Sequence, residues 1–144
     1  MTHAWFKVRE ADWERDGEAL RHVRIAVFCI EQDVPAELEW DGIDGRCEHA
    51  LAVDAGGRAI GCGRLLPDGH IGRMAVLREW RDRGVGGALL EHFIALARER
   101  GHAVARLNAQ TRAIPFYEAH GFAATGDEFD DAGIPHRAMS LALR

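Results

Sequence analysis

A chain of 144 residues, 47% apolar and 28% charged, can bury one core, and it contains no apolar run near the ~20 residues that a membrane span needs. A formal charge of −5 disfavours a nucleic acid partner and suits a cationic small substrate better. The first residues lack the basic-then-apolar layout of a signal peptide, so one cytoplasmic domain over 1–144, with no membrane contact, is expected.

Taken in order, Ala4 to Arg9 alternates loosely and reads as a first strand. Asp12 looks like a helix start, and Leu20, Val23, Ile25, Ala26, Val27 and Ile30 give an apolar face at helical spacing up to about Glu31. Pro35, Asp41-Gly42 and Asp44-Gly45 then mark a long acidic loop, with one helical turn around Ala36 to Trp40. His49 to Asp54 and Ala59 to Leu66 read as strands joined by the tight turn Ala55-Gly56-Gly57-Arg58. Pro67-Asp68-Gly69 leads into a further strand, Ile71 to Val76. A long helix from about Gly86 to Arg100 places Leu89, Leu90, Phe93, Ile94 and Ala97 on one face, and Gly101 ends it. Val104 to Ala109 is a buried strand, and a short helix spans about Ala113 to His120. Phe122 to Phe129 and His136 to Leu143 are closing strands joined by an acidic loop. The order predicts an α/β domain with a mixed sheet of six to seven strands and about four helices, antiparallel first and parallel across the long helix.

The stretch Arg81-Asp82-Arg83-Gly84-Val85-Gly86-Gly87-Ala88 carries the most chemistry. The first turn of a helix has backbone N–H groups without intrahelical partners, and here glycine stands where a Ser, Thr, Asp or Asn would cap them. Bare amides at the positive end of a helix dipole suit a phosphate, so a ligand carrying a pyrophosphate is expected. The Rossmann fingerprint would open the first βα unit, whereas this turn follows the fourth strand, and no P-loop signature is present. Cys29, Cys47 and Cys62 are odd in number without a C-x-x-C pair, which argues against disulfides and structural zinc. The histidines show no H-x-x-x-H or H-E-x-x-H spacing, so no metal is expected.

Arg81-x-x-Gly84-x-Gly86 after an apolar strand resembles the R/Q-x-x-G-x-G/A motif of the GNAT family of N-acetyltransferases. Ala113-x-x-Phe116-Tyr117-Glu118-x-x-Gly121-Phe122 is similar to a second segment of the same family, in the right order. Val27-Phe28-x-x-Glu31-Gln32, Glu39-x-Asp41-Gly42-x-Asp44 and Gly133-Ile134-Pro135-His136 further resemble its ElaA-like branch. The resemblance implies an acetyl-CoA cosubstrate whose pyrophosphate meets the amides of Arg81 to Ala88. It also implies a pantetheine arm along Met74, Ala75 and Val76, with Gln110 and Phe116 among the cofactor contacts, and a bulge that splays this strand from the next.

Tyr117, the chain's single tyrosine, is the implied general acid: a phenol of pKa ~10 beside the sulfur can protonate the departing thiolate. A backbone N–H of Met74 to Val76 is implied as the oxyanion donor. For the general base, Glu31, Asp41, Asp44, Glu128, Asp130 and His136 are all candidates. Glu31 and His136 lead because each sits at an element end beside an apolar run. Arg73 either reaches the acceptor or is solvated, and Trp40 is a candidate wall of the acceptor pocket. The expected acceptor is a small cationic primary amine, drawn by the acidic loop with Glu31, Asp41 and Asp44, acetylated directly in a ternary complex by a monomer or homodimer. A protein or peptide amine as acceptor, or an acyl-CoA-binding sensor or protein-interaction module without turnover, is the alternative.

Overall fold

A computed structural model describes residues 5–144; Ala4, where the opening strand was expected to begin, lies outside them. Seven strands form two antiparallel sheets. In the first, β1 (Phe6–Ala11), β2 (Glu48–Asp54), β3 (Ala59–Leu65) and β4 (Ile71–Val76) lie side by side in chain order. In the second, β7 (Ile134–Ala142) lies between β5 (Val104–Gln110) and β6 (Ala123–Asp131). The parallel step expected across the long helix comes down to a single bridge, His70 to Arg106.

Strands β2 and β3 are buried along almost their whole length, which accounts for their near-continuous apolar runs. The alternation of β3 sends its two faces to different helices. Cβ atoms on Gly61 and Gly63 would press on Val85, Leu89 and Phe93, and the one on Gly63 would stand only 2.6 Å from the Phe93 ring. Glycine there lets α3 (Val85–Glu99) sit directly on the sheet. On the opposite face Arg64 meets Arg24 of α1 (Gly17–Arg24) through a shared carboxylate. Leu51, Ile60, Leu89, Leu90 and Phe93 fill the core, each fully buried. Burial of side chains this size contributes about 1.5–3 kcal/mol each before entropy is counted.

The first helix starts five residues later than its apolar spacing suggested. Asp12 Oδ1 accepts from the amides of Glu14 and Arg15, which closes a turn, and Asp16 is held by Arg9 at 3.0 Å. After Arg24 the helix widens to a π-helical stretch, Ile25–Glu31, in which Gln32 N–H donates to Val27 O five residues back. A short α2 (Ala36–Glu39) follows in the loop, where the helical turn was expected.

Strand β4 contains the bulge implied by the family resemblance. Cys62 pairs with Ala75 and Arg64 with Gly72, so Arg73 and Met74 together face Gly63. Arg73 takes φ +48°, a left-handed conformation that costs a non-glycine residue roughly 1 kcal/mol or more. The last hairpin turns on Ala132 (φ 54°) and Gly133 (φ 79°), so Asp130 and Asp131 belong to β6 where an acidic loop was expected. The two left-handed positions give the turn the twist that the flanking strands require.

Candidate active site

From the His70–Arg106 bridge, β4 and β5 run on as the facing edges of two different sheets, and neither pairs with the other again. A cleft of about 690 Å³ occupies the gap. Its floor includes Met74, Ala75 and Val76. Gly86 lies beside Val76 at the end of β4, with Phe116 against it, and the Asp131–Ala132 turn also lines the cleft.

At the Gly86 end the chain leaves β4 through Leu77 and a tight turn at Arg78–Trp80, and α3 begins behind Gly84, which is left-handed at φ 85°. No side chain caps this helix. Among the described residues the amides of Val85, Gly86 and Gly87 have no acceptor, whereas two of the amides assigned to phosphate are already in use. Arg81 N–H donates to Arg78 O and Ala88 N–H to Gly84 O, so the open row is shorter than the expected span from Arg81 to Ala88. Asp82 stands in the connecting turn at φ 61°, with Arg83 stacked over Trp80 at 5.1 Å. α4 (Ile114–Glu118) closes this end: Phe116 and His120 lie 3.5 Å from where Cβ atoms on Gly86 and Gly87 would be.

Tyr117 projects from α4 into the cleft, its ring packed edge-on to Phe116 and Phe122. Burial pushes its phenol up to about 12, and no described residue hydrogen-bonds its hydroxyl. His136, on β7, is buried and lines the same cleft, stacked on Phe129. Its Nδ1 lies 2.7 Å from Ile134 O. A carbonyl can only accept, so Nδ1 carries the hydrogen, and the neutral ring keeps its lone pair on Nε2.

Glu31, one of the two leading candidates for the base, is held in an ion pair. Both its oxygens accept from Arg81, at 2.5 and 2.6 Å. The Arg81 guanidinium holds its carboxyl below the usual range. Arg81 also donates to Val76 O at 3.1 Å, so the arginine of the glycine motif ties the π-helical stretch to the end of β4. The next residue, Gln32, accepts from Gln110 at 2.9 Å, and Gln110 accepts from Arg112 at 3.1 Å. Glu31 and Gln32 thus reach one to each side of the cleft.

The acidic loop offers little free charge. Arg24 is 1% exposed and donates to Glu39 and to Asp44, both at 2.7 Å, with its guanidinium 4.8 Å from the Trp40 ring. Arg64 donates to Asp44 at 2.9 Å and to Asp41 at 2.5 Å. Arg73 adds contacts to Glu39 and Asp41. Three arginines therefore balance three carboxylates. The Arg64 hydrogen bond pulls the Asp41 carboxyl far down. Burial by itself raises Asp44, but its bonds to Arg24 and Arg64 outweigh that and hold it low. Asp41 and Asp44 are ion-pair partners here, and Trp40 packs on Arg24 and is not among the residues that line the cleft. The argument from this loop to a cationic acceptor loses its basis. Arg24 and Arg64 were not singled out in the sequence, and Glu39 entered only as part of the ElaA-like segment; the signal at the two arginines was a charge inside an apolar helix face and strand.

An open helix mouth, a splayed edge strand and a cleft lined by Tyr117 and His136 lie together in this fold. The model of the acetyltransferase (GNAT) domain matches residues 18–143, so the chain belongs to the GNAT acetyltransferase family and is an enzyme of that class. It is 42% identical over 122 residues to the uncharacterised N-acetyltransferase YjcF of Bacillus subtilis, covering 82% of this chain and 86% of that one. Escherichia coli ElaA has the same fold, with a TM-score of 0.81 at 23% identity over 95% of this chain and 99% of that one. So does an aminoglycoside 6'-N-acetyltransferase complexed with coenzyme A, with a TM-score of 0.76 at 12% identity over 96% and 97% of the two chains. Among the described residues no helix is long and apolar enough to cross a membrane.

Proposed function

We propose that this enzyme transfers an acetyl group from acetyl-CoA to the primary amine of a small molecule, by direct attack with both substrates bound. The observation that carries this reading is the cleft between two unpartnered strand edges that opens onto an uncapped helix. An extended, amide-bearing arm can add to the free edge at Met74–Val76 as a strand would. A diphosphate suits the open amides of Val85, Gly86 and Gly87. The shared fold of an acetyltransferase crystallised with coenzyme A supports the same cosubstrate here.

Acetyl-CoA would supply an activated thioester carbonyl; the proton transfers fall to the chain. His136 Nε2, with its lone pair fixed by the Ile134 carbonyl on the other nitrogen, takes the proton that the amine must lose. Backbone N–H groups of Met74 to Val76 hold the charge that develops on the acyl oxygen. Tyr117 gives its proton to the departing sulfur, and its raised pKa keeps that proton in place throughout the neutral range. The same height makes it a weak acid beside a thiol of pKa ~8.5, so donation accompanies breakage of the carbon–sulfur bond. The proton held by His136 then resets the phenol through water. No cysteine lines the cleft, and burial pushes Cys62 up to about 12, which leaves no thiolate there for a covalent acetyl-enzyme.

Release of free thiol from acetyl-CoA in the presence of an amine panel tests the reading. Tyr117→Phe should lower turnover by about 10²-fold or more, with coenzyme A affinity measured by calorimetry little changed. Equal turnover would remove Tyr117 as the acid. Coenzyme A binding without thiol release for any amine would make the protein a sensor.

A further inference from the structure

The three arginines of the acidic loop do not share its carboxylates equally. Glu39 Oε2 accepts a directed hydrogen bond from Arg24 Nε at 2.7 Å. Arg73 Nε lies 3.0 Å from the same oxygen but without the alignment of a hydrogen bond. Asp41 Oδ2 stands 2.5 Å from Arg64 and 3.4 Å from Arg73. Arg73 makes its one short bond, 3.1 Å, to the Glu39 carbonyl, and its Nη1 donates to no described residue. It is therefore the least neutralised cation of the set. Its side chain is also the most exposed of the three, 27% against 4% for Arg64, which lines the cleft as well, and 1% for Arg24, which does not.

Backbone geometry points the same way. Arg73 is the bulge residue of β4, and its φ of +48° would suit glycine better. A strained residue kept at the centre of a site is an observation that calls for a functional reason. Across the cleft Arg112 has no carboxylate within ion-pair distance among the described residues, and Gln110 holds its Nε at 3.1 Å. Against these two cations the cleft wall offers Glu39, already engaged by Arg24, and Asp131 on the hairpin rim. A polycation would meet an unfavourable field there. A compact anion would find Nη1 of Arg73 free to donate a charge-assisted hydrogen bond.

We propose that the acceptor carries its own compact oxyanion a few bonds from the reactive amine, as a free amino acid does, and that Arg73 binds it while the amine faces His136. The inference rests on the transferase reading above and names its substrate class. Arg73 is then a specificity residue, and Arg112 adds attraction from the opposite wall.

The test compares thiol release with matched acceptors: free amino acids, their carboxamides, O-phosphoethanolamine, ethanolamine and spermidine. Amino acids should exceed their carboxamides in kcat/KM by tenfold or more. If O-phosphoethanolamine outranks them, the oxyanion is a phosphate and the charge assignment stands. Arg73→Gly relieves the strained φ, so the variant should fold. It should bring the ratio of amino acid to carboxamide close to one, through KM, with coenzyme A affinity by calorimetry kept. Arg112→Gln, on an exposed side chain, should reduce the ratio several-fold. Calorimetric titration of an amino acid into the coenzyme A complex should show binding that Arg73→Gly abolishes. Equal use of acids and carboxamides, a preference for spermidine, or an unchanged ratio in Arg73→Gly would overturn the proposal and leave the transferase reading intact. Coenzyme A binding without thiol release from any amine would overturn both.

Discussion

The two ends of the cleft are built from different material. The helix end is main chain: open amides behind Gly84, and a strand edge freed by the divergence of β4 from β5. The opposite end is side chain: Arg24, Arg64 and Arg73 against Glu39, Asp41 and Asp44. Main-chain groups cannot be mutated away and suit a cosubstrate common to many enzymes. A side-chain lattice can be rewired, which suits the acceptor recognition proposed above. The two ends should also fail differently when damaged, one in affinity and the other in folding.

The largest effect is expected from Arg24→Met. Removing this guanidinium leaves Glu39 and Asp44 buried without their main partner, and breaking a buried pair from one side costs about 3–5 kcal/mol. Urea denaturation followed by circular dichroism should show that loss; a shift under about 1 kcal/mol would mean that the network is solvated. Its pH behaviour follows from the same charges. Asp41 and Asp44 both sit below the ordinary value of 3.8 in the folded state. Their contribution to stability is therefore complete above that value and is lost as pH falls through the lower folded one. The wild-type urea midpoint should hold from pH 7 to 5 and drop only below about pH 4. In Arg24→Met only Arg64 is left to oppose the upward push of burial on Asp44, so the drop should begin at higher pH.

The helix end was legible because backbone chemistry needs particular residues at fixed offsets. Gly84 must be left-handed, and Gly86 leaves its amide bare beside Phe116. The spacing Arg81-x-x-Gly84-x-Gly86 shows both without any tertiary information. The acceptor end was misread for the converse reason. Glu39, Asp41 and Asp44 look like a solvated acidic loop in sequence, and their partners come from α1, β3 and β4, 15 to 34 residues away. Charge count cannot tell a free carboxylate from a buried pair. The widening at Ile25–Glu31 was equally hidden: its apolar spacing fits an α-helix, and the i→i−5 bond is visible only once Gln32 is tied to Gln110. The strands were read well, because burial on one or both faces writes itself into periodicity. Their junction, a lone bridge where a ladder was expected, escaped, and so did the tight turn that carries β6 on to Asp131.

Damage at the helix end should leave the fold alone. Gly86→Asp sets a carboxylate among the open amides, where it would act as a resident anion and repel a diphosphate. Its Cβ would stand 3.5 Å from Phe116, an ordinary contact, so folding should survive. Calorimetry should show coenzyme A affinity down by about 10- to 100-fold, roughly 1.4–2.8 kcal/mol, with the urea midpoint close to wild type. Unchanged affinity would mean that the diphosphate binds elsewhere.

The smallest effect concerns the hairpin that walls the acceptor end. Ala132 adopts φ 54° at the first central position of the β6–β7 turn, where a Cβ is disfavoured. Ala132→Gly removes that strain but gives the unfolded chain more freedom to lose, so the net gain is about 0.5 kcal/mol or less. For a domain this size that is a rise in Tm of about 1–2 °C. Ala132 also lines the cleft, in the hairpin that carries Asp131 and His136. A looser turn should therefore raise the acceptor KM a few-fold while coenzyme A affinity stays constant. A rise in Tm with no change in KM would confine acceptor recognition to the arginine wall and leave the hairpin as a passive edge.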